Sequence, residues 1–188
     1  ALLIASEEIT SSLFGYGSFD ETSVRNSSLA LFYFALGLPA FSLIKVFSSF
    51  LFARHNTKIP FYFSIISVLI NVAISLYYFK NIGFIIIPIA TSISSWVNAL
   101  ILLLYLNYKK YFFLKFELIK NLSKILFVTL VSSYIFYYLI SIFSNSLNYD
   151  NKYKLIFIIL SVIITIISYI LISIVTKAFK LNDIKLKY

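Results

Sequence analysis

Lys45 is the residue of this chain whose chemistry is hardest to explain as packing. It stands in Phe41-Ser42-Leu43-Ile44-Lys45-Val46-Phe47, inside an apolar run at 29–53. An ammonium group at that depth is costly in hydrocarbon. Either it faces a cavity, where it meets an anionic substrate or a carboxylate, or it snorkels to the nearer membrane surface. Arg54, the next basic residue, lies roughly 13 Å further along a helix, so both readings stay open. Asn71, Thr91, Ser92, Ser94, Ser95 and Asn98 are the other polar side chains within apolar runs. They would line a substrate-facing lumen or hydrogen-bond between neighbouring helices.

Other kinds of chemistry are poorly supplied. The seven acids are Glu7, Glu8, Asp20, Glu21, Glu117, Asp150 and Asp183, and none falls within a complete apolar run. There is no cysteine, which excludes disulfides and thiolate metal sites, and the single histidine, His55, stands in a basic loop. No Walker glycine loop, paired carboxylates, nucleophile elbow or metal-ligand cluster occurs. The chain is therefore expected not to be an enzyme and to need no cofactor or metal.

The elements that must position these residues are long apolar segments at 29–53, 60–79, 84–106, 125–143 and 155–176. Each is about 20 residues or slightly longer, the length a helix needs to cross roughly 30 Å of hydrocarbon. Five such segments cannot all be wrapped by 188 residues of soluble protein. Charged residues make up 12% of the chain, against about 25% in soluble domains. The fold class expected is an all-α integral membrane protein: a polytopic helical bundle of five complete transmembrane helices plus the end of a sixth at residues 1–14. The chain opens on Ala-Leu-Leu-Ile-Ala with no charged segment before it and contains no Met. It reads as the C-terminal part of a longer protein, not as a signal peptide.

The net charge of +9 sits mostly between the spans, which points to topology and anionic lipid headgroups, not nucleic acid. One side collects Arg54, Lys58, Lys109, Lys110, Lys115, Lys120, Lys124, Lys177, Lys180, Lys185 and Lys187; the other has Arg25, Lys80, Lys152 and Lys154. The positive-inside rule places the 54–59 loop, the 107–124 segment and the C-terminus in the cytoplasm. Segment 108–123 alternates Lys with Phe, Tyr and Leu and reads as an amphipathic helix on the cytoplasmic surface. Asp20 or Thr22 is placed to cap the helix of the first complete span, Pro60 fits the first turn of the second, and Gly37 with Pro39 predicts a kink. Tyr77, Tyr78, Tyr105, Tyr108, Tyr111 and Tyr153 fit an interfacial aromatic belt.

Four stretches together resemble one family. Leu13-Phe14-Gly15-Tyr16-Gly17-Ser18-Phe19-Asp20 resembles the "LFGRGAFD" turn of the MurJ (MviN) lipid II flippases of the MOP exporter superfamily. Tyr33-Phe34-Ala35-Leu36-Gly37-Leu38-Pro39-Ala40-Phe41-Ser42-Leu43-Ile44-Lys45-Val46 is similar to "YALGLPAFSLVKV". Phe52-Ala53-Arg54-His55-Asn56-Thr57-Lys58-Ile59-Pro60 is similar to "FYARxDTxTP", with Asn56 where the family usually has Asp. Gly83 followed by Ala90-Thr91-Ser92-Ile93-Ser94-Ser95-Trp96-Val97-Asn98-Ala99-Leu100 resembles "GLALATSLAAWVNALLL". The resemblance covers 13–106; residues 107–188 match in architecture only.

Such proteins move the undecaprenyl-pyrophosphate-linked disaccharide-pentapeptide across the bacterial cytoplasmic (inner) membrane by alternating access. They have two six-helix lobes and two extra C-terminal helices that form a lipid-tail groove. On this mapping, 1–106 is the later part of the second lobe, 107–124 a cytoplasmic amphipathic linker, and 125–188 the two extra helices with a basic tail. The expected partners are lipid II, membrane lipids and the missing N-terminal lobe of the same protein, with no nucleic acid. The candidate substrate-binding residues are Lys45, Arg54, Lys58, Asn71 and Asn98. Alternatives are a flippase for another polyprenyl-linked polysaccharide, a MATE-like antiporter, or a non-transporting membrane scaffold.

Overall fold

The computed structural model describes residues 1–111 and 116–176; all are helix, turn or irregular, with no strand among them. The helices are α1 (Ser6–Phe14), α2 (Glu21–Ala53), α3 (Lys58–Ile82), α4 (Ile86–Tyr108), α5 (Phe116–Ile142) and α6 (Lys154–Val175). Four segments are long and apolar enough to cross a membrane: α2, the stretch Lys58–Tyr108, α5 and α6. The stretch Lys58–Tyr108 is folded back on itself at Gly83, whose φ of +74° needs a residue without a Cβ. The helices α3 and α4 on either side are therefore a packed hairpin. The chain is an all-α polytopic membrane protein.

The surface explains why this fold needs lipid. Leu76 is 74% exposed, Leu104 66% and Val175 81%, each on a long helix whose own backbone is internally hydrogen-bonded. Apolar faces of this size in water would drive aggregation, whereas in hydrocarbon they cost nothing. Several hydroxyls along these helices are satisfied within their own helix: Thr91 donates to Ile87 O at 2.8 Å, Thr129 to Ile125 O at 2.8 Å and Thr165 to Ser161 O at 2.7 Å.

Two compact units divide the chain. The first comprises 1–24 with the chain from 114 onward. In it α5 and α6 pair, and Ala5, Phe136, Ile140, Leu147 and Ile158 form a buried cluster. The second, 25–113, holds most of α2 with α3 and α4 around Phe47, Leu51, Leu102 and Leu106.

Helix ends follow the local chemistry. Asp20 Oδ1 accepts the Ser23 N–H at 2.8 Å, and Oδ2 accepts the Thr22 hydroxyl at 2.9 Å, so the expected cap of α2 is Asp20. These donors hold the Asp20 carboxyl below its ordinary carboxylate range. Pro60 lies in the first turn of α3 as expected. The C-termini of α2 and α4 share one closure. Asn56 N–H reaches Leu51 O and His55 N–H reaches Phe52 O; likewise Tyr111 reaches Leu106 O and Lys110 reaches Asn107 O. Both are Schellman motifs, and both place a non-glycine residue in the left-handed region, His55 at φ +56° and Lys110 at φ +57°.

Two differences from the sequence reading stand out. Helix α2 begins eight residues before its apolar run, because Glu21 to Ser28 has no glycine or proline to stop it and Asp20 starts it. Residues 116–123, expected in a separate surface helix, are instead the first turns of α5, again without a breaker between Phe116 and Ile142. Lys115 and the basic tail at 177–188 lie outside the described residues.

Candidate functional site

Lys45 lies on an exposed face of α2, and among the described residues it makes no hydrogen bond or ion pair. It is thus a free cation on a helix whose flanking residues Leu43 and Val46 are themselves exposed. This part of α2 is supported from α4. Pro39 supplies no N–H to the preceding turn and its ring crowds the carbonyl there, which weakens the helix ladder. Two carbonyls close to this weakened turn receive side-chain donors from α4: Trp96 Nε1 donates to Leu36 O at 3.0 Å, and Ser92 Oγ donates to Tyr33 O. Gly37 permits the approach, since a Cβ there would stand 2.8 Å from Ser92 Oγ and 3.2 Å from its Cα. The helix continues through both Gly37 and Pro39.

Arg54 is exposed but not free. Its guanidinium sits 4.0 Å from the Tyr111 ring centroid and 4.8 Å from that of Phe50. This stack ties the ends of α2 and α4 together through cation–π contact. Lys58 is the exposed first residue of α3. Between them Asn56 Oδ1 accepts the Ile59 N–H at 3.4 Å, a weak cap that an aspartate at this position could also make.

The intramembrane polar residues mostly serve one another. Asn71 Nδ2 donates to Thr91 Oγ1 at 3.0 Å and to Ser94 Oγ at 3.4 Å, and Ser67 Oγ donates to Ser94 O at 2.8 Å. Together they form a seam across the α3–α4 hairpin, the bonding that polar residues supply in lipid. Asn98 is 6% exposed, and its Oδ1 has no hydrogen-bond partner among the described residues. The structure therefore groups Asn71 with Thr91 and Ser94, groups Arg54 with Phe50 and Tyr111, and leaves Lys45 and Lys58 apart from both.

One residue escaped the sequence reading. Lys154, counted above among outward-loop charges, is fully buried at the start of α6. Its Nζ donates to Gly15 O at 2.8 Å and to Tyr149 O at 2.7 Å. The only hint in the sequence was a lysine flanked by tyrosines at 149 and 153, which is also a common surface pattern.

With this geometry in view, a family model described as Lipid II flippase MurJ matches residues 1–158. The chain belongs to the MurJ family. Among MurJ relatives, a probable lipid II flippase of Rhizobium meliloti is 42% identical over 102 residues, covering 54% of this chain and 19% of that protein. The corresponding protein of Rickettsia prowazekii is 34% identical over 97 residues, covering 52% of this chain and 19% of its own length. That of Thermotoga maritima is 34% identical over 93 residues, with 50% and 20% covered. The chain thus matches about a fifth of the length of these MurJ proteins. The family model extends past the motifs at 13–106 through the whole of α5 and into the first turns of α6.

Proposed function

We propose that this chain forms the later part of the second lobe, and the two helices that follow it, of a bacterial lipid II flippase. The observation that carries the reading is the MurJ match across 1–158, on a chain of membrane-length helices. The whole transporter would carry undecaprenyl-pyrophosphate-linked peptidoglycan precursor across the inner membrane by alternating access, with its C-terminus in the cytoplasm. In that cycle a charged pyrophosphate-sugar headgroup enters a low-dielectric space, and cationic side chains offset its desolvation.

Within this region Lys45 is the residue proposed for that role. It is a cation on an apolar helix with no bond to hold it elsewhere. The Arg54 stack and Lys58 would stand at the cytoplasmic rim, where positive charge attracts an anionic lipid. Asn71 is proposed to hold the α3–α4 hairpin rather than the headgroup. Asn98 keeps an unpartnered acceptor enclosed in this structure, which a sugar hydroxyl would meet only in a state of the cycle that opens it.

The test is complementation. The full-length protein containing this sequence is expressed in a bacterium depleted of its own flippase, and surface-exposed lipid II is measured. Restored exposure supports the reading. No restoration, with the protein inserted and stable, would redirect it toward another polyprenyl-linked cargo or a scaffold.

A further inference from the structure

Lys154 occupies a place that its charge disfavours. It is the first residue of α6, where the positive end of the helix dipole opposes a cation. It is also fully buried, and among the described residues no carboxylate reaches it as a direct ion-pair partner; Asp150, in the loop before α6, favours its charge only through space. Its charge is met by other means. Two carbonyls, Gly15 O and Tyr149 O, accept from Nζ, and the rings of Tyr16 and Tyr149 each lie 4.5 Å from it.

Every one of these partners belongs either to the turn before α2 or to the loop before α6. The same loop makes a second bond to the same turn, from the Tyr149 hydroxyl to Phe19 O at 2.7 Å. Gly15 completes the fit: a Cβ there would lie 2.6 Å from Ser11 O, 3.1 Å from Lys154 Nζ and 3.1 Å from the Tyr149 ring. The turn leads directly into Asp20 and its capping bonds.

We infer that Lys154 is a positioning residue: its ammonium fixes the Gly15–Asp20 turn, and with it the start of α2, from the α5–α6 loop. The last two helices would then take part in the transport cycle through this clamp, beyond any contact with lipid tails. The transport arm of the test rests on the flippase reading; the structural arm does not.

The experiment compares the full-length protein with Lys154→Met, Tyr149→Phe and, as a control, the exposed Lys152→Met. Amide hydrogen exchange is followed by peptide, alongside surface-exposed lipid II. Exchange across Gly15–Phe19 is expected to rise about tenfold in Lys154→Met and less in Tyr149→Phe, with the α3–α4 hairpin unchanged and transport reduced in the same order. Lys152→Met should match the parent in both. Unchanged exchange in the turn would overturn the inference. So would exchange raised uniformly over the protein, or a loosened turn with undiminished transport. Should Lys154→Met fail to fold, Lys154→Gln, which keeps a donor but not the ammonium charge, decides by the same criteria. Should the parent not move lipid II, the exchange arm still decides whether Lys154 holds the turn.

Discussion

Trp96 Nε1 donates to the carbonyl of Leu36 at 3.0 Å, three residues before Pro39. An indole donor from α4 thus supports α2 beside the point where proline weakens its ladder. Ser92, one helical turn earlier on α4, does the same for Tyr33. Both bonds lie within the turn before Gly37, where α4 comes close enough to leave no room for a Cβ.

Gly37→Ala should therefore destabilise the protein, because its Cβ would meet Ser92 Oγ at 2.8 Å and the Ser92 backbone at 3.2 Å. The expected cost is about 1–3 kcal/mol, the range for overpacking a close contact. Thermal unfolding in detergent reads it. Adding Ser92→Ala should recover only part of the loss, since the backbone clash remains. Full recovery would show that the hydroxyl alone sets the spacing.

Acid should weaken the start of α2 through Asp20. Its carboxyl is held below the ordinary range by the Ser23 and Thr22 donors. A depressed pKa contributes stability that is in place above the unfolded value, about pH 4, and is lost as pH falls through the lower folded value. Asp20→Asn keeps an acceptor but cannot titrate. Its melting temperature is expected to vary less with pH below about 4 than that of the parent.

The left-handed residues at the two Schellman closures offer a gain. His55 and Lys110 sit at φ +56° and +57°. Replacing either with glycine removes Cβ strain and should stabilise by about 0.5–1 kcal/mol, after glycine's greater unfolded-state entropy is counted. His55→Ala keeps the strain and should give no such rise in melting temperature.

Lys45→Ala should leave insertion and folding intact, because the side chain is exposed and bonded to nothing described. Transport by the full-length protein is expected to fall severalfold or more. Normal transport by Lys45→Ala, at normal membrane levels, would remove Lys45 from the headgroup path.

What the sequence made legible was governed by local rules. Runs of about 20 apolar residues announced the long helices, Asp20 announced a cap, and Pro60 announced a first turn. The limits of α2 and α5 were less visible, because hydropathy marks where lipid begins, and helix continues wherever nothing breaks it. Asn71 showed that a polar residue was present but not whom it meets; Thr91 and Ser94 become its partners only when α3 and α4 fold back at Gly83. Lys154 was the furthest from reach. Its burial depends on Gly15, at the other end of the sequence, and no local pattern separates a clamped lysine from a solvated one.

The decisive measurement is surface exposure of lipid II in a flippase-depleted bacterium carrying the full-length protein. Exposure and growth should return. A protein that is inserted, stable and abundant, yet leaves lipid II on the inner face, would contradict the flippase reading.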